Sequence, residues 1–438
     1  MSLLGNAIPP SQTARYLRTL PAIRERCTRV HQLAQEGKLQ YFDYHPEKEL
    51  DVAKFCVDII KRNYGDDFSK ISVKPHGRWR HLDSGVERVA PMIEKWSKEA
   101  NPPDVKEQAR RTIDLFVVSV LLDAGAGNVW KYTEADTGLT FNRSEGLGVA
   151  SVHMFESGLF SSIPDQPYQV DAAGLENVTT EKTVTAMQVS ESNPMVGIEG
   201  RASLLINLSK ALKSSPEFFG SDGRPGNLID FLERESKVEG DTRVVPISAL
   251  WQALVDGLNP IWPSRLSLGG VALGDVWPCP VLKASIANPQ QGDDLVPFHK
   301  LTGWLTYSLV EVLEKNLKWK IYGMEDMTGL PEYRNGGLLV DFGVLTLKPD
   351  ALPKDPKSGL PHAVPSHPAI VEWRAMTVIE LDRIADLIRS QLGVNAANLT
   401  LAQILESATW TGGREIAKIK RPETGGPPIE IESDGTVF

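Results

Sequence analysis

Several signatures are missing from this 438-residue chain, and each absence closes a class of function. Only three cysteines are present, Cys27, Cys56 and Cys279, far apart and without a C-x-x-C pair, which argues against a disulfide framework or a structural zinc site and points to a reducing compartment. The histidines, among them His76, His81, His153, His299, His362 and His367, never fall into H-E-x-x-H or another ligand spacing, so no metal is expected. There is no G-x-S-x-G elbow, no dinucleotide-binding glycine fingerprint and no phosphate-loop motif, and no cofactor is expected. A formal net charge of -9 makes a general nucleic-acid surface a poor expectation. No window has the uncharged apolar length of a membrane span, and the start, MSLLGNAIPPSQTARYL, does not read as a secretory signal; a cytoplasmic protein is expected. No fixed-period repeat appears, which sets aside a solenoid.

What is present is mostly helical periodicity. Apolar residues recur at helical spacing over Pro46 to Tyr64, and Asp104 with Glu107 forms a capping-box signature ahead of a run that is apolar all round from Leu115 to Leu122, apart from Ser119. Ser144 is the expected N-cap of the next helix. Further helices are predicted at 201–213, 227–235, 247–257, 296–317, 368–392 and 401–407, the last capped by Thr400. Strand signals are few: 70–74, 243–245 and 338–347. These patterns predict a mainly α protein, one helical body over residues 1–420 with a few short strands. A long loop or lid is expected at 163–200, a Pro-rich excursion at 349–368 and an acidic Pro/Gly-rich tail at 421–438.

The most informative stretch is DMTGLPEYRNGGLLVDFGVLTLK, Asp326 to Lys348. It puts Asp326, Glu332, Tyr333 and Arg334 in a loop anchored at both ends by apolar residues. Charges held against a core are costly unless they pair or do chemistry. Three more clusters carry chemistry. KPHGRWRHLDSG offers Arg78 and Arg80 around Trp79, suited to an anion or a flat ligand, or else a turn whose tryptophan plugs the core while its arginines meet acids. In LLDAGAGNVWKY, Asp123 sits at the unfavourable end of a helix dipole, so a basic side chain, a ligand hydroxyl or a structural hydrogen bond must compensate it. Arg143 and Glu145 open the following helix and can share that rim. In PFHKLTGWLTYSL, Lys300 and Trp304 lie one helical turn apart, with Lys300 either facing an anion or reaching to solvent.

Taken together, KPHGRWRHLDSGVER, RTIDLFVVSVLLDAGAGNVW, RSEGLGVASVHMFESGLFSS, PFHKLTGWLTYSL and VEWRAMTVIELDRI resemble the uracil catabolism protein 4 family of fungi and bacteria, over nearly the whole chain. The resemblance implies a part in a uracil-degrading pathway in which a cyclohydrolase-like partner opens the pyrimidine ring. A more distant resemblance is to the queuosine-salvage N-glycosylases, helical enzymes with a helix-hairpin-helix glycosylase-like fold. It is carried by Leu122-Asp123-Ala124, by Phe298 with Lys300, by Thr328 ahead of Pro331-Glu332-Tyr333-Arg334, by Phe342-Gly343-Val344-Leu345, and by Glu372, Arg374 and Ala375. The departure is at the key acid, Glu332 where that family has Asp.

What these resemblances imply is an N-glycosidase hydrolysing a ribosylurea-type compound, with or without a 5′-phosphate, to urea and a ribose species. Glu332 is then the carboxylate facing the developing positive charge, Arg334 its orienting partner, and Asp326 and Asp123 its partners or ribose ligands. Lys300, Arg78, Arg80 and Arg143 would hold a phosphate, Tyr333 would line the site, and Trp130 or Trp304 would wall the leaving group. Two alternatives stand beside it: a non-catalytic partner that delivers an intermediate to the ring-opening enzyme, and an amidohydrolase acting on the opened ring.

Overall fold

In the computed structural model, residues 9–67, 73–123, 125–127, 129–262 and 265–432 are described. Helix makes up 54% and strand 10%, so the mainly helical class stands. Where one continuous body was expected, the chain divides into two compact units: Met1–His76, Ser264–Lys300 and Glu325–Phe438 form the first, and Gly77–Pro263 and Leu301–Met324 the second.

The first unit is built on the helix Pro368–Leu392, which packs against Leu20–Gln35 and Glu49–Tyr64. Pro368 at its first position and left-handed Gly393 at its end set its bounds, as the sequence predicts. A second pairing joins Tyr333–Asp341 to Trp410–Lys420. Its closeness requires Gly413, where an added Cβ would lie 2.2 Å from the Arg334 carbonyl oxygen. Thr400 caps the helix that starts at Leu401 in a full capping box with Gln403, and a π-turn at Leu405–Thr409 then leads into Trp410–Lys420. Short antiparallel pairs, among them Phe42–Tyr44 with Leu345–Leu347 and Val276–Pro278 with Leu295–Pro297, belong to the same unit.

The second unit centres on Val105–Leu122, capped by Asp104 through the Glu107 N–H as predicted, while the Glu107 carboxylate, expected to close the capping box, accepts from Arg224 instead. It packs against Arg143–Glu156 and Ile198–Ser214. Trp79–Leu82 crosses Arg143–Glu156 at Gly148, where a Cβ would stand 2.6 Å from the His81 carbonyl oxygen. A three-stranded sheet has the order Lys320–Tyr322, Thr242–Pro246, Lys237–Glu239.

Four expectations need correcting. The 338–347 segment is no strand: Tyr333–Asp341 is helix and only Leu345–Leu347 is extended, because Glu332 caps a helix that the apolar run continues. The helix drawn from Val296 begins at Lys300, since Leu295–Pro297 pairs as a strand. Asn142, not Ser144, occupies the N-cap position of Arg143–Glu156. The 163–200 stretch contains helices Ala172–Glu176 and Thr180–Ala186 and enters Ile198–Ser214, so it is largely built structure. Most of the strand expected at 70–74 lies outside the described residues, and Val73 and Lys74 are not extended strand.

Candidate functional site

The expected site residues fall in both units. Asp326, Glu332, Tyr333, Arg334 and Lys300 belong to the first; Arg78, Arg80, Asp123, Trp130, Arg143 and Trp304 belong to the second.

In the first unit Glu332 is buried, with 8% of its surface exposed. It is the N-cap of Tyr333–Asp341, and its two carboxylate oxygens accept the backbone N–H groups of Arg334 and Asn335, each at 3.0 Å. Glutamate is an unusual cap because its longer chain must fold back, and here both oxygens are fixed in doing so. A carboxylate has about four lone-pair directions, so two N–H bonds leave capacity for a ligand or a water. Arg334 therefore positions Glu332 through its backbone and not through its charge. Its guanidinium donates to the Gly425 carbonyl at 2.7 Å and lies 4.9 Å from the ring centre of half-buried Tyr333. Asp326 is exposed in the turn Met324–Asp326, and Arg24 binds the carbonyl oxygens there, so it is not a buried partner of Glu332.

A residue that pattern reading missed organises this region. Asp275 takes a two-pronged ion pair from Arg374, at 2.7 and 2.8 Å, with the Trp277 indole N–H at 2.6 Å and the Lys300 backbone N–H at 3.0 Å. Burial alone would raise the Asp275 carboxyl; Arg374 and these N–H donors hold it well below the usual carboxylate range instead. Arg374 also lies 4.1 Å from the Phe298 ring centre and sends Nε toward the Pro331 carbonyl at 3.4 Å. One guanidinium thus ties the start of the Lys300 helix, through Asp275, to the residue preceding Glu332. Two residues earlier on the same helix, Glu372 accepts the Gln40 and Tyr41 N–H groups, both at 2.9 Å. The Glu-x-Arg pair is a clamp on flanking loops.

In the second unit Arg78 is fully buried. Nε donates to Ser119 Oγ at 2.8 Å, the backbone N–H to Ser308 Oγ at 2.9 Å, and Nη1 reaches the Ser144 carbonyl at 3.3 Å and Asp123 Oδ1 at 3.0 Å. Burial pushes this guanidinium's pKa down, and Asp123 and Glu145 oppose the shift. The compensation that Asp123 requires at its helix end is thus Arg78, while Arg201 binds the adjacent Leu122 carbonyl at 3.2 Å. Arg80 pairs with Glu311, which Lys315 also meets at 2.7 Å. Trp79 is buried and donates to Asp83 at 2.8 Å. Much of this cluster therefore follows the plainer reading: a tryptophan in the core and arginines answering acids. Trp130 is wholly buried and donates to the Met187 carbonyl at 2.8 Å, which makes it a core residue and not the wall of a site. Trp304 lies with its ring centre 5.5 Å from Arg78 Cζ, and Arg143 is half-buried with a left-handed φ of 51°.

Among the described residues no three His, Cys, Asp or Glu side chains come together as a metal would need, and no helix is long and apolar enough to cross a membrane. All three cysteines are buried and unpaired.

A mainly helical chain with these buried acid–arginine clusters belongs to a family defined over nearly its full length, the DUF1688 family, described as a protein of unknown function, whose model matches residues 16–438. The chain is 43% identical to "Uracil catabolism protein 4" of Lachancea kluyveri, over 97% of this chain and 98% of that one. It is 44% identical to "Protein urg3" of Schizosaccharomyces pombe, over 98% of this chain and all of that protein.

Proposed function

We propose that this chain acts in uracil catabolism as a hydrolase that cuts the N-glycosidic bond of a ribosylurea-type compound, releasing urea and a ribose species. The relative named for uracil catabolism supports the pathway. The observation that carries the chemistry is Glu332: a buried carboxylate, fixed through both oxygens, on a segment that Arg374 and Asp275 tie to the Lys300 helix start. As the C1′–N bond loosens, positive charge grows on the sugar, and a preorganised carboxylate stabilises it or takes a proton from the attacking water. The water oxygen bonds to C1′, the bond's electron pair leaves with the urea nitrogen, and that nitrogen gains a proton. Lys300 is the cation for a 5′-phosphate when the substrate carries one, and Tyr333 flanks the carboxylate.

The test is turnover of N-ribosylurea by purified protein, beside Glu332→Gln. Glutamine keeps one cap acceptor, so the variant stays folded while hydrolysis falls. The same cap supports a second reading: a carboxylate engaged through both oxygens in holding a helix end suits a non-catalytic carrier that delivers the opened-ring intermediate to a cyclohydrolase-like enzyme. Folded wild type that binds N-ribosylurea without releasing urea decides for the carrier.

A further inference from the structure

The Arg78–Asp123 pair in the second unit is a buried ion pair with unfinished hydrogen bonding. Arg78 is pinned at Nε and at its backbone by two serines, yet Nη2, out of solvent, has no hydrogen-bond partner. Asp123 Oδ1 is also buried and receives no well-directed hydrogen bond, although Nη1 lies 3.0 Å away. The contact is ionic without being directional. Leaving a buried polar atom unpaired costs about 1–3 kcal/mol, and folded proteins keep few such atoms. Here a donor and an acceptor are orphaned on two groups in contact, beside the Trp304 ring at 5.5 Å. His81 in turn meets Trp304 edge-on at 5.8 Å. Asp123 is the more open of the pair, just past the end of its helix.

Ligand classes make different demands on such a pair. A phosphate needs surplus positive charge, but Asp123 and Glu145 set two acids against the guanidinium groups of Arg78 and Arg201. Phosphate oxygens would also meet a carboxylate they cannot bond. A neutral group with a carbonyl oxygen next to an N–H satisfies both orphans together, its oxygen accepting from Nη2 and its N–H donating to Oδ1. Ureas, amides and cyclic imides carry that edge, and their flat faces suit the indole.

We propose that Arg78 and Asp123, beside Trp304, recognise the N–H/C=O edge of a neutral planar ureido or imide group. The inference concerns the second unit alone and takes N-ribosylurea from the hydrolase reading only as a compound that carries such a group, so binding tests it without turnover.

The experiment is calorimetric titration of wild type, Asp123→Asn, Arg78→Lys and Trp304→Phe with N-ribosylurea, uracil and inorganic phosphate. N-ribosylurea is expected to bind wild type. The first two variants should weaken it roughly tenfold or more, the loss of one hydrogen bond to a charged group, and Trp304→Phe, which leaves the ion pair whole, should weaken it less. Phosphate affinity should not change in any of them. Wild type that binds neither ureido nor imide compound overturns the proposal, as does an anion site, in which Arg78→Lys removes phosphate binding and Asp123→Asn strengthens it. If Asp123→Asn does not fold, Trp304→Phe and Arg78→Lys decide alone. Variant-sensitive ureido binding without hydrolysis leaves this site standing and removes the hydrolase. N-ribosylurea affinity unchanged in all three variants removes this site and leaves the hydrolase reading untouched.

Discussion

Two buried arginine–aspartate pairs, one in each unit, differ in how completely they are satisfied. Asp275 and Arg374 meet through two parallel hydrogen bonds, and Asp275 has further donors in the Trp277 indole and the Lys300 backbone. Asp123 and Arg78 meet at one close contact, with Arg78 Nη2 and Asp123 Oδ1 left without hydrogen bonds. Desolvating two charges is tolerable when geometry and extra donors repay the cost, and such a pair holds a scaffold. A pair left incomplete keeps interaction capacity for something else. The first pair positions loops; the second is the one proposed to read a ligand.

Variants of each pair, set beside Glu332→Gln, separate the roles. Glu332→Gln carries the largest expected effect, a loss of about a hundredfold or more in N-ribosylurea turnover at nearly unchanged thermal stability, measured by urea release and by melting. A comparable loss in Asp275→Ala, explained fully by unfolding, would show how far that scaffold reaches. For Asp275→Ala itself the expected cost is about 3–5 kcal/mol by urea denaturation, because Arg374 is left as an uncompensated buried charge. Asp123→Asn should cost clearly less, since its geometry contributes less to begin with; equal costs would erase the contrast between the pairs.

The acid limb of stability sharpens the comparison further. Folding lowers the Asp275 carboxyl below its unfolded value, so the pair's contribution is present above an unfolded pKa of about 3.9 and is lost as pH falls toward the folded value. The stability difference between wild type and Asp275→Asn should therefore be constant near neutrality and shrink on acidification below about pH 4, followed by urea melts at a series of pH values. A difference that widens in acid contradicts the assignment of that charge.

Local chemistry made much of the fold readable. The helices Ile247–Gly257 and Pro368–Leu392 stand where their patterns put them, and Asp104 and Thr400 cap as their spacing implies. The run after Glu332 misled because Leu338 and Leu339 are both wholly buried, so a buried helix and a strand look alike in sequence. Gly336, against the Trp373 indole, marks the tight packing that settles the matter, and sequence does not display it. Of the candidate site, Glu332 was found through its apolar setting, whereas its use as a cap depends on backbone geometry. Asp275 sits among ordinary turn residues, and its partner is 99 positions away, so no local pattern announces it. Arg78 and Arg80 were visible as a cluster, but the acids that neutralise them, Asp123 and Glu311, come from distant helices.

The most direct measurement is the identity of the products when folded protein is given N-ribosylurea and each product is quantified by mass spectrometry. Intact urea and ribose in equal amounts, appearing with wild type and suppressed in Glu332→Gln, is the expected result. Ammonia and a carbamate fragment in place of urea, or equal urea from both proteins, would contradict the glycosidic cleavage proposed for Glu332.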